Sequence, residues 1–305
     1  MISIVIPVYN TKNTIIPLCE DLQKVVSHLN QEIEIILIDD RSPDQSWPLI
    51  LEYSKHKPYI KALRFSRNFG QHTALSAGLD YACGDWTVVM DCDFQDSPDQ
   101  IIKLYNKAQE GFDVVLARRS NRQDSFLKKI FSFIFSFIFQ RLSGLETNHE
   151  IGNFRIMNKK VLNAYQLYRE DLRFFTGTMS LLGFNKTSIP VAHNKRTLGK
   201  SSYNFSKSTK LAITAIISHS NRPLYLSSLL GFFFILASLT ISFAVLYKKV
   251  IHGVEVEGWT SIIISIFLMG GLNLGFMGIF GLYLGKIFDQ TKQRPLYIVD
   301  EKINL

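Results

Sequence analysis

Where a buried apolar run stops, three carboxylates follow within six residues: Val88-Val89-Met90-Asp91-Cys92-Asp93-Phe94-Gln95-Asp96. Alternate residues of an extended chain point the same way, so Asp91 and Asp93 share a side. Two like charges that close repel, and a divalent cation between them relieves the cost. Mg²⁺ or Mn²⁺ held by one or two carboxylates, with substrate phosphates completing the shell, suits such a pair. Residues 86–90 read as a strand buried on both faces. The carboxyl end of such a strand is where open α/β sheets bind ligands. Ser97-Pro98 reads as a helix start, with Pro at the first helical position. A solvated acidic turn is the plainer reading of an isolated Asp-x-Asp. The strand before this one and the helix start after it favour the metal.

The same event recurs along the chain. Ile2–Val8, 33–38, Ile60–Phe65 and 113–117 are apolar runs of strand length, and each ends in a polar cluster. Between them the periodicity predicts helices: one to about residue 29, capped by Asn13 or Thr14, another after Asp44, and a third over about 72–82. Strand and helix alternate, so right-handed crossovers give a Rossmann-like, mainly parallel sheet with helices on both faces. Tyr9/Asn10, Asp39/Asp40, Arg67/Asn68, Asp91/Asp93 and Arg118/Arg119 then converge on one sheet edge. No Gly-x-Gly-x-x-Gly follows the first strand and no Gly-x-x-x-x-Gly-Lys-Ser/Thr occurs, which removes the main support for dinucleotide and P-loop chemistry. A bound nucleotide would need the metal and basic side chains for its phosphates. Asp39 or Asp40 can accept from a base edge or ribose; helix-capping or turn carboxylates are the competing role.

A length of 305 residues suits one catalytic domain plus an appendage. Two long apolar blocks, about 224–247 and 261–285, are each long enough to cross a bilayer. The net charge of +8 fits nucleic acid or an anionic membrane surface, and the apolar blocks favour the lipid bilayer over nucleic acid. Cys19, Cys83 and Cys92 form no Cys-x-x-Cys pair, which argues for a reducing compartment without disulfides or zinc. Ile2–Val8 has no basic residues before it and is not a signal peptide pattern. The expected organisation is a catalytic domain over 1–204, an amphipathic juxtamembrane helix over 205–222, two spans within 223–290 and a short tail over 291–305. Within the catalytic domain, 124–142 carries Phe131, Phe133, Phe135, Phe137 and Phe139 and suits an interfacial helix. Lys207, Lys210, Arg222, Lys286, Lys292 and Arg294 flank one side of the spans and only two lysines the other. The positive-inside rule then puts the catalytic domain and the tail in the cytoplasm of a multi-pass inner-membrane protein. Gly270, Gly271, Gly275, Gly278, Gly281 and Gly285 suit close helix packing and a homo-oligomer.

The motifs, taken together, are Val5-Ile6-Pro7-Val8-Tyr9-Asn10, Ile38-Asp39-Asp40-Arg41-Ser42, Ser66-Arg67-Asn68-Phe69-Gly70, Ala77-Gly78-Leu79, the acidic run, Gly152-Asn153-Phe154-Arg155 and Arg196-x-x-Gly199-Lys200-Ser201. In this order and spacing they resemble a glycosyltransferase family 2 domain of the GT-A fold. The whole chain resembles the polyprenyl-phosphate glycosyltransferases, relatives of dolichol-phosphate mannose synthase. The resemblance implies a nucleotide-sugar donor, a metal on Asp91 and Asp93, a polyprenyl phosphate acceptor such as undecaprenyl phosphate, and a product used in cell-surface glycan modification. It places Pro7, Tyr9, Asp39 and Asp40 at the nucleoside, with Asn10, Arg67, Gln71 and Asp91 assigned beside them. Asn153 and Arg155 join Asp91 and Asp93 as catalytic candidates. Arg118, Arg122, Arg196, Lys200 and Ser201 are candidates for phosphate, because an anionic acceptor approaching an anionic donor needs positive charge.

Three positions depart from the common family form: Thr11 replaces Glu, Arg41 replaces Gly, and Asn153 replaces the Asp often proposed as the base. Asn cannot accept a proton at neutral pH, although Glu150 lies close in sequence. A hydroxyl nucleophile gains from a base, whereas a phosphate monoester is already ionised near neutral pH. Asn153 therefore fits a phosphate nucleophile that displaces the nucleotide diphosphate in one step with inversion. A UDP-sugar, glucose first, is favoured because the chain resembles bacterial rather than dolichol-specific members. A processive polysaccharide synthase lacks support, since none of Trp47, Trp86 or Trp259 follows an Arg. Asn153 is the one feature favouring a non-catalytic scaffold or carrier-binding module; transfer to a hydroxyl acceptor is the other alternative, and Asn153 counts against it.

Overall fold

A strand inside a sheet is covered on both faces, and Ile2–Val8 is buried at every position but half-buried Pro7, with Ser3 its one polar residue. The computed structural model describes residues 1–119, 140–142, 151–169, 175–191, 216–217, 220–252 and 258–305. Its strands are β1 (Ile2–Val8), β2 (Ile33–Asp39), β3 (Ile60–Phe65), β4 (Trp86–Val89), β5 (Val114–Arg119), β6 (Ile151–Asn158), β7 (Lys186–Val191) and β8 (Val299–Ile303). They form one sheet in the order β7-β5-β6-β4-β1-β2-β3-β8. β1 to β4 run parallel, as do β5 and β7, while β6 and β8 run against their neighbours. The sheet is thus the expected mainly parallel one, with two reversed strands.

The helices are α1 (Lys12–Ser27), α2 (Ser46–Ser54), α3 (Gln71–Tyr81), α4 (Gln100–Ala108), α5 (Lys159–Leu167), α6 (Phe175–Leu181), α7 (Arg222–His252) and α8 (Trp259–Thr291). Strand periodicity divides the core in two. Ile4, Ile6, Val8, Ile35 and Leu37 pack with α1, α2 and α4. Val5, Ile36 and Ile38 turn to the other face, against α3, α5 and α6. On α1 the buried positions Ile15, Leu18, Cys19, Leu22, Val25 and Val26 make one apolar stripe.

Three local expectations change. α4 begins at Gln100, because Ser97–Asp99 first close a turn: the Gln100 amide donates to the Ser97 carbonyl at 3.1 Å and the Ile101 amide to that of Pro98 at 2.9 Å. Neither Asn13 nor Thr14 caps α1, which starts at Lys12, and the Thr14 hydroxyl donates instead to the Cys92 carbonyl at 2.6 Å. The expected tail over 291–305 contains β8, in which Val299 and Ile303 bracket three charged residues and which pairs with β3.

The chain divides into two compact units. One carries the sheet and includes Arg294–Leu305; the other carries α7 and α8. Arg222–Ile241 and Ser265–Thr291 are long and apolar enough to cross a membrane. Phe233, Leu239, Phe267 and Leu274 are exposed along them. A Cβ added at Gly270, Gly271, Gly275, Gly278, Gly281 or Gly285 would meet nothing within 4 Å. Among the described residues these glycines therefore mediate no close helix packing within the chain. The interfacial stretch 124–142 lies outside the described residues apart from helical 140–142, and so does most of the juxtamembrane stretch 205–222.

Gly78 explains its own motif. A Cβ there would stand 2.3 Å from Val5 Cγ1 and 2.5 Å from Ile38 Cδ1, so α3 sits against β1 and β2 only because that position is bare. Alanine gains about 1 kcal/mol as a helix former, but overpacking a core costs about 1–3 kcal/mol. Gly78→Ala is expected to lower the melting temperature; an unchanged or raised value would overturn this packing account.

Candidate functional site

Each of the first four strands ends in a turn with one backbone angle on the positive-φ side: Asn10 at 57°, Arg41 at 57°, Gly70 at 93° and Phe94 at 55°. Glycine adopts such angles freely and Asn readily, but for Arg and Phe the conformation costs on the order of 1 kcal/mol or more. The neighbouring contacts hold it. The Asn10 amide donates to Ser42 Oγ at 2.9 Å and the Lys12 amide to Asp44 Oδ2 at 2.8 Å, stitching the β1 turn to the β2 turn. Arg41 is the position where the family commonly has Gly, and its guanidinium reaches Asp300 at 2.6 Å.

Asp39 and Asp40 are enclosed. Asp39 Oδ1 accepts the Ser42 amide at 3.0 Å, while Oδ2 faces Arg64 Nε at 3.6 Å, beyond hydrogen-bond reach. Asp40 accepts the Phe69 amide at 2.6 Å and the Gly70 amide at 2.9 Å, tying the end of β2 to the turn before α3. Both carboxylates work here as turn organisers. Burial raises the Asp39 carboxyl above its ordinary range and pushes Asp40 up to about 6, against the pull of its amide partners. Tyr9 is half exposed beside this pair, and Pro7 is half-buried in β1. Arg67 is exposed, its guanidinium 4.0 Å from the Phe69 ring centre.

The turn that Asp40 holds delivers Gln71, the first residue of α3, whose amide donates to Asp91 Oδ1 at 2.7 Å. Asp93 Oδ1 accepts the Gln95 amide at 3.1 Å. Cys92 between them is buried, its carbonyl taking the Thr14 hydroxyl, so the run is pinned from both faces of the sheet. Two half-buried carboxylates are hard oxygen donors of the kind Mg²⁺ and Mn²⁺ take. Among the described residues no set of three or more His, Cys, Asp or Glu forms a metal cage. The pair therefore fits an ion that keeps water and substrate phosphate in its shell rather than a fully caged one.

β6 brings in the next residues. Val89 pairs with Arg155 in antiparallel register, the last pair of β4 with β6, and Asn153 stands two residues earlier on β6, where the pairing with β5 shifts register. Arg118 on β5 lies opposite Ile151 and is exposed. Arg155 turns inward and is fully buried. Its guanidinium donates to the carbonyls of Gly152 at 2.8 Å and Asn153 at 3.1 Å and lies 4.6 Å from the Phe175 ring centre. Burial pushes it down to about 10, so it stays charged at neutral pH and braces the backbone that carries Asn153. Arg122, Glu150, Arg196, Lys200 and Ser201 lie outside the described residues. Thr14, Arg64 and the C-terminal acidic residues were not among the expected site residues. No period-2 alternation marked the last: three charged residues in a row, Asp300, Glu301 and Lys302, stand between Val299 and Ile303.

Asp40 gives this edge a pH signature. Its carboxyl binds a proton more tightly folded than unfolded, so its contribution to stability is full below pH 4 and is lost as pH rises through about 6. The amount is on the order of 3 kcal/mol. Asp40→Asn cannot titrate and loses one amide bond at every pH. The melting temperature of the wild type, relative to this variant, is expected to fall between pH 4 and pH 7; a constant difference would overturn the burial argument.

The model of the family described as Glycosyl transferase family 2 matches residues 3–166, which span β1 to α5 and hold the motifs placed above. Among full-length relatives, an uncharacterized glycosyltransferase, YkcC of Bacillus subtilis (strain 168), is 34% identical over 99% of this chain and 94% of its own. The bactoprenol glucosyl transferase of Shigella phage SfX is 32% identical over 99% of both chains. A prophage bactoprenol glucosyl transferase homolog of Escherichia coli (strain K12) is 32% identical over 98% of both. Among solved structures, glucosyl-3-phosphoglycerate synthase of Mycobacterium tuberculosis, in complex with Mn²⁺, UDP and phosphoglyceric acid, shares the fold. Its TM-score is 0.53 at 13% identity, over 72% of this chain and 76% of its own. A strand-end site built from these motifs, on that fold and in relatives aligned from end to end, makes the chain a member of glycosyl transferase family 2.

Proposed function

We propose that this chain is a membrane-associated hexosyltransferase that moves glucose from UDP-glucose to a polyprenyl phosphate. The observation that carries this reading is the likeness to bactoprenol glucosyl transferases, which covers both long apolar helices as well as the sheet. The solved neighbour that holds Mn²⁺ with UDP supports a divalent ion for the donor diphosphate.

In the reaction an oxygen of the carrier phosphate attacks C1 of the glucose. The bond from C1 to the diphosphate oxygen breaks as the new bond forms, UDP leaves with the electron pair, and the configuration at C1 inverts. Tyr9 offers an aromatic face to the base, and the turns held by Asp39 and Asp40 shape the nucleoside pocket. Asp91 and Asp93 would hold the Mg²⁺ or Mn²⁺, which neutralises charge on the departing diphosphate. Gln71 keeps Asp91 oriented for that task. Asn153 contributes hydrogen bonds and no base, which suffices for a nucleophile already ionised. Arg118 offsets repulsion between the two phosphates, with Arg122, Arg196, Lys200 and Ser201 assigned to the same work.

The two apolar helices keep the enzyme at the bilayer, where the carrier phosphate lies. The chain leaves the sheet unit before α7 and rejoins it at β8. Two crossings return it to the side it left, and the flanking basic residues assign that side to the cytoplasm of the inner membrane.

Membranes containing the protein, given undecaprenyl phosphate, Mg²⁺ or Mn²⁺ and labelled UDP-glucose, are expected to pass label into the organic-solvent phase, and chelation stops it. Label entering from another donor alone would replace the sugar assignment; no label from folded protein would end the transferase reading. Asp91→Ala and Asp93→Ala are expected to abolish metal-dependent turnover in folded protein, and near-normal activity in either would remove the metal assignment. Asn153→Ala is expected to cost no more than about tenfold in kcat, well short of the loss when a general base goes. A fall of several orders of magnitude in a folded variant would remove the phosphate-nucleophile argument.

A further inference from the structure

β8 is pinned at both ends. The Tyr297 ring stacks on Phe65 at 5.3 Å and its hydroxyl donates to Asp80 at 2.9 Å, while the Asn304 side chain donates to the Ile60 carbonyl at 2.8 Å. Between these anchors, the register sets Glu301 opposite Arg64 and then shifts, so that Phe65 faces Val299. Arg64 Nη1 donates to Glu301 Oε1 at 2.7 Å, and on the other side its Nε stops 3.6 Å from Asp39 Oδ2. Neither Arg64 Nε nor Asp39 Oδ2 makes a hydrogen bond among the described residues, although both atoms are buried.

Opposite charges enclosed together ordinarily close to hydrogen-bond distance, because a buried group left without a partner costs about 1–3 kcal/mol. Here Glu301 draws the guanidinium the other way. Asp300, two residues before Lys302, makes a second contact to the same turn through Arg41 at 2.6 Å. Those two side chains are 43% and 44% exposed, so that pair adds at most about 1 kcal/mol. The Arg64–Glu301 pair is 24% and 43% exposed, and its weight lies in where it directs Arg64, whose guanidinium it draws away from buried Asp39.

We infer that Glu301 is a positioning residue for the nucleotide-sugar pocket: it holds Arg64 beside Asp39 without letting the two bond, which keeps an Asp39 oxygen as an acceptor for a donor group of the nucleoside. The inference rests on the assignment of Asp39 to the nucleotide pocket. It makes β8, which follows the apolar helices in the chain, a part of donor binding rather than a stabilising edge alone. With Glu301 neutralised, Arg64 closes on Asp39 and the nucleoside loses that acceptor.

The test uses the full-length protein in detergent, titrated calorimetrically with UDP in the presence of Mn²⁺, together with transfer kinetics and melting temperatures. Glu301→Gln is expected to weaken UDP binding and raise the KM for UDP-glucose by about tenfold, the worth of one hydrogen bond to a charged group. The kcat at saturating donor and the KM for the lipid phosphate stay within about twofold. Glu301→Asp retains the charge and recovers most of the donor affinity. Lys302→Ala, which removes a 2.8 Å contact to the Tyr81 hydroxyl from the same strand, lowers the melting temperature and leaves UDP binding as it was. If Glu301→Gln binds UDP as the wild type does, or if Lys302→Ala weakens it equally, the positioning role is overturned. If the wild type itself binds no UDP, the donor assignment fails first and this inference falls with it.

Discussion

Parallel strands that end level with one another force every outgoing connection through the same narrow zone. In this chain β1, β2, β3 and β4 are paired in that way, and each turn beyond them must change direction within a few residues. Asn10, Arg41, Gly70 and Phe94 carry the positive-φ angle that does so. The candidate site is a product of that constraint: the tight turns bring Tyr9, the Asp39–Asp40 pair, Gln71 and Asp91 to one edge, and the contacts holding the turns are the contacts of the site. Thr14 on the Cys92 carbonyl and Asp40 on the Phe69 and Gly70 amides join elements far apart in sequence.

Charge inside this edge is balanced mostly by backbone. Asp40 rests on two amides, Asp39 on one, and Arg155 on two carbonyls and an aromatic face. Backbone dipoles cannot rotate away once the strands are formed, so these groups are fixed before any ligand arrives. A site that stabilises a departing diphosphate gains from such preorganisation, because no dipoles need to reorient as charge moves. The cost appears as a raised Asp40 pKa and a buried guanidinium with no carboxylate partner among the described residues. Removing one partner of such a group therefore does more harm than any gain from adding one.

The strand ends were legible in sequence because the apolar runs stop abruptly, and a polar cluster after each run has one place to be in a parallel sheet. The acidic run and the two long apolar helices were legible for the same reason: their patterns are local. What Asp39, Asp40 and Arg155 do was not. A carboxylate at a strand end looks the same whether it faces a ligand or a turn amide, and only the fold shows that the amides of Ser42, Phe69 and Gly70 reach it. β8 escaped notice because its partner β3 lies more than two hundred residues away, and Asp300-Glu301-Lys302 in isolation resembles a solvated tail. The helix starts were off by two residues where turns replaced caps, since both use the same residue types.

Two of the three departures from the family pattern, Arg41 and Asn153, follow from local physics. Arg41 takes an angle that suits Gly, and the strain of about 1 kcal/mol is of the same size as the most an exposed pair with Asp300 returns. Its presence makes sense only with β8 in place, so the turn and the C-terminal strand belong together. Asn153 stands on backbone that Arg155 braces and lacks the carboxylate that would take a proton from a hydroxyl. A phosphate needs no such help, but it does need to be brought to an anionic donor. What remains for the protein to supply is proximity and positive charge. In the proposed reaction the two helices long and apolar enough to cross a membrane would serve the first need, and the exposed Arg118 of β5 is assigned to the second.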